Sequence, residues 1–222
     1  MINSDLVLTS DGSHTLFVAA IDECYHSTHG AIQESRHIFI DAGLKQCTKS
    51  EIKILEIGFG TGLNAFMTLL EAESLGKKIH YTTLELYPLD VEKAMRLNYP
   101  EELDASKRAL FEKIHNAEWD KWIDISNIFS LCKCKADFTQ FEFLERFDVV
   151  YFDAFSPEKQ PAMWTETCFE KLYEVSNVDA VLTTYCAKGY VRRAMQKAGY
   201  VVERLPGPPG KRQILRAEKK SL

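Results

Sequence analysis

The chain has 222 residues, of which 45% are apolar and 27% charged, and a formal net charge of −5. That length allows one good-sized α/β core and is short for two full domains, and the apolar share excludes wholesale disorder. No run approaches the roughly 18 unbroken apolar residues of a membrane helix, and the opening MINSDLVLTS lacks the basic cluster and apolar run of a secretory signal, so a cytoplasmic monomer is expected.

The first fifty residues mix short apolar stretches with polar ones. HTLFVAAID and ESRHIFIDAGL predict a hairpin or strand and then a helix, an N-terminal extension (1–50) packed on a core spanning 51–222. From residue 52 the pattern is regular. IKILEIG predicts a buried strand, and TGLNAFMTLLEAESLG a helix stopped at Gly76. HYTTLELYP predicts a second strand, VEKAMRLNY a second helix, and WIDISNIFSLCKCKADF a third strand. FDVVYFDAF is a continuous apolar run ending in an acid, the mark of a central parallel strand. A helix over 164–176, a strand DAVLTTYC, a helix GYVRRAMQKAG and two closing strands, YVVERL and RQILRAE, complete the chain. Alternating strands and helices imply a mostly parallel, seven-stranded sheet covered on both faces. PGPPGK is too short for a crossover helix, so the last two strands should form an antiparallel hairpin. That combination is a Rossmann-like, class I methyltransferase sheet rather than that of a dinucleotide dehydrogenase.

Two features concern ligands other than a nucleoside. Cys24, His26, His29 and His37 fall close together, but Cys-x-His-x-x-His matches no common zinc spacing and no second ligand pair follows, so no metal is expected. From Tyr185 onward ten basic residues face two acidic ones, a possible phosphate-facing end on an acidic body.

The sharpest motif is Glu56-Ile57-Gly58-Phe59-Gly60-Thr61-Gly62, directly after a strand and before a helix. Its glycines let the backbone turn tightly and approach a ligand. Leu63 stands where a dehydrogenase needs a third glycine, and Glu56 is a poor neighbour for pyrophosphate but a good one for the cationic end of S-adenosylmethionine (SAM). Glu85, at the end of the second strand, is placed for a bidentate bond to ribose hydroxyls. Asp137 is placed to accept from an adenine amino group, or to cap a helix over 138–144. Asp153 ends the fourth strand and should face the sulfonium region.

FDVVYFDAFSPEKQPAMWTETCFEKL, AKGYVRRAMQKAGYVVERLPGPPGKRQIL, GFGTGLN and Glu34-Ser35-Arg36-His37-Ile38-Phe39 together resemble the methyltransferase domain of the bifunctional tRNA 5-methylaminomethyl-2-thiouridine biosynthesis family (MnmC), over about residues 10–217. The chain stops short of that family's FAD-dependent oxidase domain, so the free-standing form is expected. One departure is Ser176-Asn177-Val178-Asp179 in place of a Pro-Gly-Gly turn, where Asn177 could supply the left-handed residue. The resemblance implies methyl transfer from SAM to the amine of 5-aminomethyluridine at the tRNA wobble position. It adds Thr61, Asn64 and Leu86 to the cofactor set, and Glu34 and Arg36 to the substrate side. Asp153 would orient the amine and help its proton leave. Tyr25, Phe155, Trp164 and Tyr185 would stack on a flipped-out base, and Arg192, Arg193, Lys211 and Arg212 would contact anticodon phosphates. The rivals are an aminopropyltransferase of the spermidine synthase kind and a non-catalytic SAM- or RNA-binding module.

Overall fold

The computed structural model describes residues 4–221. Three short strands, β1 (Asp5–Leu8), β2 (His14–Val18) and β3 (Glu23–Cys24), form a small antiparallel sheet. The helical segment after it, α1 (Ala31–Ser35), widens into a π-helical turn over Arg36–Asp41. The main sheet then begins with β4 (Glu51–Ile57), followed by α2 (Leu63–Leu75), β5 (Lys78–Leu84), three short helices α3 (Val91–Ala94), α4 (Tyr99–Leu103) and α5 (Arg108–Asn116), and β6 (Trp122–Asp124). It continues through β7 (Phe129–Cys134), β8 (Phe147–Phe152), α6 (Glu166–Glu174), β9 (Ser176–Thr184), α7 (Gly189–Ala198), β10 (Val201–Pro206) and β11 (Gln213–Glu218).

The strand order is β10-β11-β9-β8-β4-β5-β7-β6. The five strands from β9 to β7 run parallel, and β10 and β11 close one edge as the expected antiparallel hairpin. The sheet has eight strands rather than seven. The stretch read as one third strand folds back on itself: Ile125 and Ser126 both donate from the backbone to the Phe129 carbonyl, so β6 pairs antiparallel with β7. The predicted second helix is likewise shorter. Asp90 caps α3, accepting from the Glu92 amide at 2.9 Å, but the chain turns at Asn98. That side chain accepts from the His14 amide and donates to the Gly12 carbonyl, both at 2.8 Å. It thereby pins the N-terminal sheet to the core. The helix expected over 164–176 is confined to α6, because Thr165 caps it and a 3-10 turn precedes it over Pro161–Trp164. At Ser176-Asn177-Val178-Asp179 the left-handed residue is Asp179, with φ 62°. Asn177 instead joins β9 and donates to Asp148 Oδ1 at 2.7 Å.

Alternate residues of the central strands feed two cores, one on each face. Ile54 and Tyr151 pack with Phe66, Phe111 and Phe129; Leu55 and Phe152 pack with Trp164, Phe169 and Leu172. All six residues of β8 are buried, as expected of a strand covered on both faces. Phe169 is fully buried, with its ring centroid 5.3 Å from that of Phe152. Phe169→Ala should therefore cost about 3–5 kcal/mol, seen as a lower urea midpoint with an unchanged slope.

Candidate active site

The parallel strands end at one side of the sheet, and there a cavity of about 430 Å³ opens. Gly58, Gly60 and Thr61 form its floor; Glu85 and Leu86 after β5 and Asp137 after β7 form one side. Asp153 and Phe155 after β8, with Tyr185 and Lys211, form the other. The far wall comes from the N-terminal segment, through Glu23, Tyr25, His26 and Glu34.

The glycine loop is fixed by close approach. Gly58 has φ 95°, and a Cβ there would sit 2.6 Å from the Asp153 carbonyl oxygen. At Gly60, with φ 50°, a Cβ would meet the Tyr25 ring at 2.9 Å. Hydroxyl and imidazole bonds then tie the loop to the wall above it. Tyr99 Oη donates to Thr61 Oγ1 at 3.2 Å, and Thr61 Oγ1 lies 2.8 Å from His26 Nε2. Burial lowers the His26 pKa to about 4, so its ring is neutral and Nε2 can accept the Thr61 proton.

Acids dominate the cavity. Glu85 Oε2 accepts from the Gly60 amide at 3.1 Å and Oε1 from the Tyr87 amide at 2.8 Å. Each carboxylate oxygen has a second lone pair, so a diol could still bind. Burial raises the Glu85 pKa, against the lowering effect of these amide bonds. Asp137 uses Oδ1 to accept from the Thr139 amide and hydroxyl, both at 2.8 Å. It caps a turn over 138–140 rather than a helix, and it still lines the cavity. Asp153 Oδ2 accepts from Asn64 Nδ2 at 2.8 Å. Burial chiefly raises its pKa to about 7, with Glu34 adding to the rise and the Asn64 bond and Lys211 opposing it. Glu34 Oε1 lies 3.1 Å from Lys211 Nζ, which also sits 4.7 Å from the centre of the Tyr185 ring. Glu23 accepts from the Ser156 amide and hydroxyl at 3.1 and 2.9 Å, tying the loop after β8 to the N-terminal wall.

Several expected residues lie elsewhere. Glu56 is fully buried beneath the loop and does not line the cavity, and Gly62 faces His115 behind it. Trp164 is buried in the second core, where Nε1 donates to the Phe155 carbonyl at 2.8 Å, so its ring is not offered for stacking. Arg36 is exposed, 3.8 Å from Glu71. Arg192, Arg193 and Arg212 are outside the cavity. Part of the basic surplus is ion-paired to acids elsewhere, Lys188 with Glu158 and Lys197 with Glu166, while Arg216 and Lys220 pair with the segment's own Glu203 and Glu218. His26 is at the cavity and His37 bonds the Pro206 carbonyl; among the described residues no group of three or more His, Cys, Asp or Glu is placed to hold a metal ion. The sequence reading missed Glu23, His26 and Phe59 as lining residues. For Glu23 and His26 no local signal exists, since only the tertiary folding of the first fifty residues brings them over the loop.

A Rossmann-like sheet with a closing hairpin, a glycine floor and an acid-lined cavity defines a class I transferase for a nucleoside with a cationic centre. A family model described as S-adenosyl-L-methionine-dependent methyltransferase matches residues 73–220, and the chain belongs to that family. Its cofactor is SAM, and the residues fit it: the floor leaves no room for side chains, and the acids suit a sulfonium. The chain is 30% identical to the tRNA 5-methylaminomethyl-2-thiouridine biosynthesis bifunctional protein MnmC of Azoarcus sp. (strain BH72), over 96% of this chain and 35% of that protein. It is also 30% identical to the MnmC of Pseudomonas entomophila (strain L48), over 87% of this chain and 32% of that one. It thus spans about a third of these curated relatives. Among solved structures, MnmC2 from Aquifex aeolicus aligns with TM-score 0.80 and 25% identity, over 100% of this chain and 72% of that one. Spermidine synthase from Thermotoga maritima shares the fold alone, with TM-score 0.59 and 13% identity. Among the described residues no helix is long and apolar enough to cross a membrane.

The raised pKa of Asp153 has a stability consequence. The folded state holds this proton more tightly than the unfolded chain, so the contribution is full below the ordinary carboxylate value of 3.8 and is lost as pH rises through about 7. Asp153→Asn removes the buried charge and keeps an acceptor for Asn64. In the cofactor-free protein it should raise the melting temperature at pH 8 by about 2–4 °C, for about 1 kcal/mol after allowing for solvent in the cavity, and by little at pH 4. Scanning calorimetry at the two pH values checks this.

Proposed function

We propose that the chain methylates the primary amine of a 5-aminomethyluridine, with or without a 2-thio group, at the wobble position of tRNA. The observation that carries this reading is the position of Asp153. Its carboxyl is the one at the chemistry end that is bonded only to an amide side chain, while aromatic rings stand on the same side of the cavity. The names of the relatives, both tRNA-modifying proteins, supply the acceptor.

Bound SAM supplies a methyl group on a sulfonium leaving group. The residues must then deal with the acceptor, an aliphatic amine with a reference pKa near 10, as for Lys, and so mostly an ammonium at neutral pH. An ammonium has no lone pair to attack. Asp153, with a pKa of about 7, can orient the amine through one oxygen and take its proton before transfer. The neutral nitrogen then donates its pair to the methyl carbon, and the product leaves as a charged secondary ammonium. Asp153 passes the captured proton to solvent. Asn64 holds the carboxylate in place meanwhile, and alignment of this kind is worth about 7–11 kcal/mol when complete.

Tyr25 and Phe155 meet edge to face with centroids 5.0 Å apart, a shape that can grip a splayed-out base. Tyr185 donates to the Ala154 carbonyl at 2.8 Å, which leaves its face to Lys211. Arg193 and Arg212 are exposed and Arg192 half-buried. All three lack an ion-pair partner among the described residues, so they are free for phosphates. Transfer of an aminopropyl group to a polyamine is disfavoured by the same geometry. Of the further acids on that side, the charge of Glu34 is already met by Lys211 and Glu23 already accepts two hydrogen bonds from Ser156, which weakens both as holds for a second ammonium.

The test is nucleoside analysis of tRNA carrying the aminomethyl precursor after incubation with the protein and SAM. The expected product is the methylaminomethyl nucleoside, and a control with putrescine and decarboxylated SAM should give nothing. No change in the tRNA would overturn the proposal. Asp153→Asn should keep S-adenosylhomocysteine binding and lose about 10²–10⁴-fold in kcat. In the wild type kcat/KM should steepen by one further power of proton concentration below about pH 7, and the variant should lack that limb. Arg193→Ala with Arg212→Ala should weaken binding of all tRNAs alike and lower the salt slope by about 0.7–0.9 for each phosphate no longer neutralised.

A further inference from the structure

Beneath the glycine loop lies a sealed polar cluster that the mechanism above does not use. Glu56 is fully buried, and its Oε2 accepts from Thr83 Oγ1 at 2.8 Å. Its other oxygen, Oε1, is sealed and has no hydrogen-bond partner. The same holds for Asn64 Oδ1 and the Tyr81 hydroxyl, and these are the side chains beside the Glu56 carboxyl. Asn64 donates one amide hydrogen to Asp153 Oδ2 at 2.8 Å, and its Oδ1 is sealed without a partner.

Were Glu56 ionised, a buried anion would face an amide oxygen that can only accept. Burial is the largest influence on it; the Asp153 carboxylate adds to the rise, the polar groups of Thr83, Asn64 and Tyr81 oppose it, and no ion pair to Glu56 is present among the described residues. A buried carboxylate without a cation is costly, and such a group takes up a proton instead. One proton removes both faults at once, since on Oε1 it gives that oxygen a hydrogen to donate and Asn64 Oδ1 a hydrogen to accept.

We infer that Glu56 is a neutral carboxylic acid that donates Oε1–H to Asn64 Oδ1, so that a chain from Glu56 through Asn64 to Asp153 fixes the amide and reserves the site's negative charge for Asp153. Burial pushes the Glu56 pKa well above its ordinary value, in the same direction. Glu56 is then a positioning residue that acts through Asn64. The acid two residues before the first glycine is not the counter-charge of the sulfonium, which is the role its place in the motif suggests. The same logic makes the two carboxyls unequal. One is locked in its protonated form by a dry site, and the other faces the cavity and exchanges its proton.

The inference rests on reading Asp153 as the carboxylate that faces the amine, but its test needs no acceptor. Infrared difference spectra of the unliganded protein at pH 7, wild type minus Glu56→Gln, should show the carbonyl stretch of a protonated carboxylic acid, shifted in D₂O. In the wild type alone the band should persist from pH 6 to 8. Absence of the band overturns the inference. In titrations, Glu56→Gln should bind SAM and S-adenosylhomocysteine within about threefold of the wild type, with their ratio unchanged. A loss of about tenfold or more confined to the charged SAM would mean an ionised Glu56, and would also overturn it. Glu56→Leu, which has no donor for Asn64, should lower kcat with little effect on the KM for SAM. Normal turnover by Asp153→Asn would remove the role given to Asp153 while leaving the infrared result standing, so the two failures are distinguishable.

Discussion

The site depends on a hydrogen-bond ladder that runs one step past the ends of the strands. Asp153 N donates to the Ile57 carbonyl at 3.0 Å, Gly58 N to the Leu84 carbonyl at 2.9 Å, and Glu85 N to the Cys134 carbonyl at 3.0 Å. These bonds hold the first residues of three loops in register, so the glycine turn, the Glu85 carboxyl and the Asp153 carboxyl reach the same cavity. A slip of one residue in any strand would send its acid to the other face of the sheet. The two hydrophobic cores prevent this, because each strand inserts alternate residues into opposite faces. Packing far from the chemistry therefore fixes the chemistry. The absence of a side chain at Gly58 is the local condition for it, since the β4 and β8 tips meet there as backbone against backbone.

The N-terminal fifty residues do more than cover the core. β3 and the bend after it present Glu23, Tyr25 and His26 to the cavity, and the following helix presents Glu34. Neutral hydrogen bonds through Thr61 attach this wall to the glycine loop, and Glu23 attaches it to the loop after β8. The wall is thus tied to both the floor and the loop after β8. A buried lysine supports the floor from the opposite direction. Lys133 donates to the His115 carbonyl and lies 4.8 Å from the centre of the Trp119 ring, while His115 Nε2 donates to the Thr61 carbonyl at 3.1 Å. Burial lowers the Lys133 pKa to about 8.

The cavity floor and the acids around it were legible because their requirements are local. A glycine turn between strand and helix, and acids at strand ends, are features of contiguous sequence, and Gly58, Gly60, Glu85, Asp137 and Asp153 all fall where those features place them. What misled was inferring side-chain direction from proximity to the motif. Glu56 lies next to the loop in sequence, but strand alternation turns it inward. Trp164 stands close to the mouth in sequence, and its size and indole N–H suit the core better than the surface. The basic C-terminal segment read as a phosphate-facing surface, yet Lys188, Lys197 and Lys211 meet acids from other segments, and such pairing is invisible in a linear count. β6 escaped notice because three residues give too little alternation to separate a hairpin from one long strand.

Lys211 comes from the turn between the last two strands, yet it reaches into the cavity to meet Glu34, a residue from near the beginning of the chain. The glycine floor and the acids Glu85, Asp137 and Asp153 all lie within residues 58–153. The opposite wall is finished only by the final hairpin, which folds back and brings Lys211 against Tyr185. The two ends of the chain thus close the cavity together, and a chain without that hairpin would keep the floor but leave Glu34 and Tyr185 without their cation.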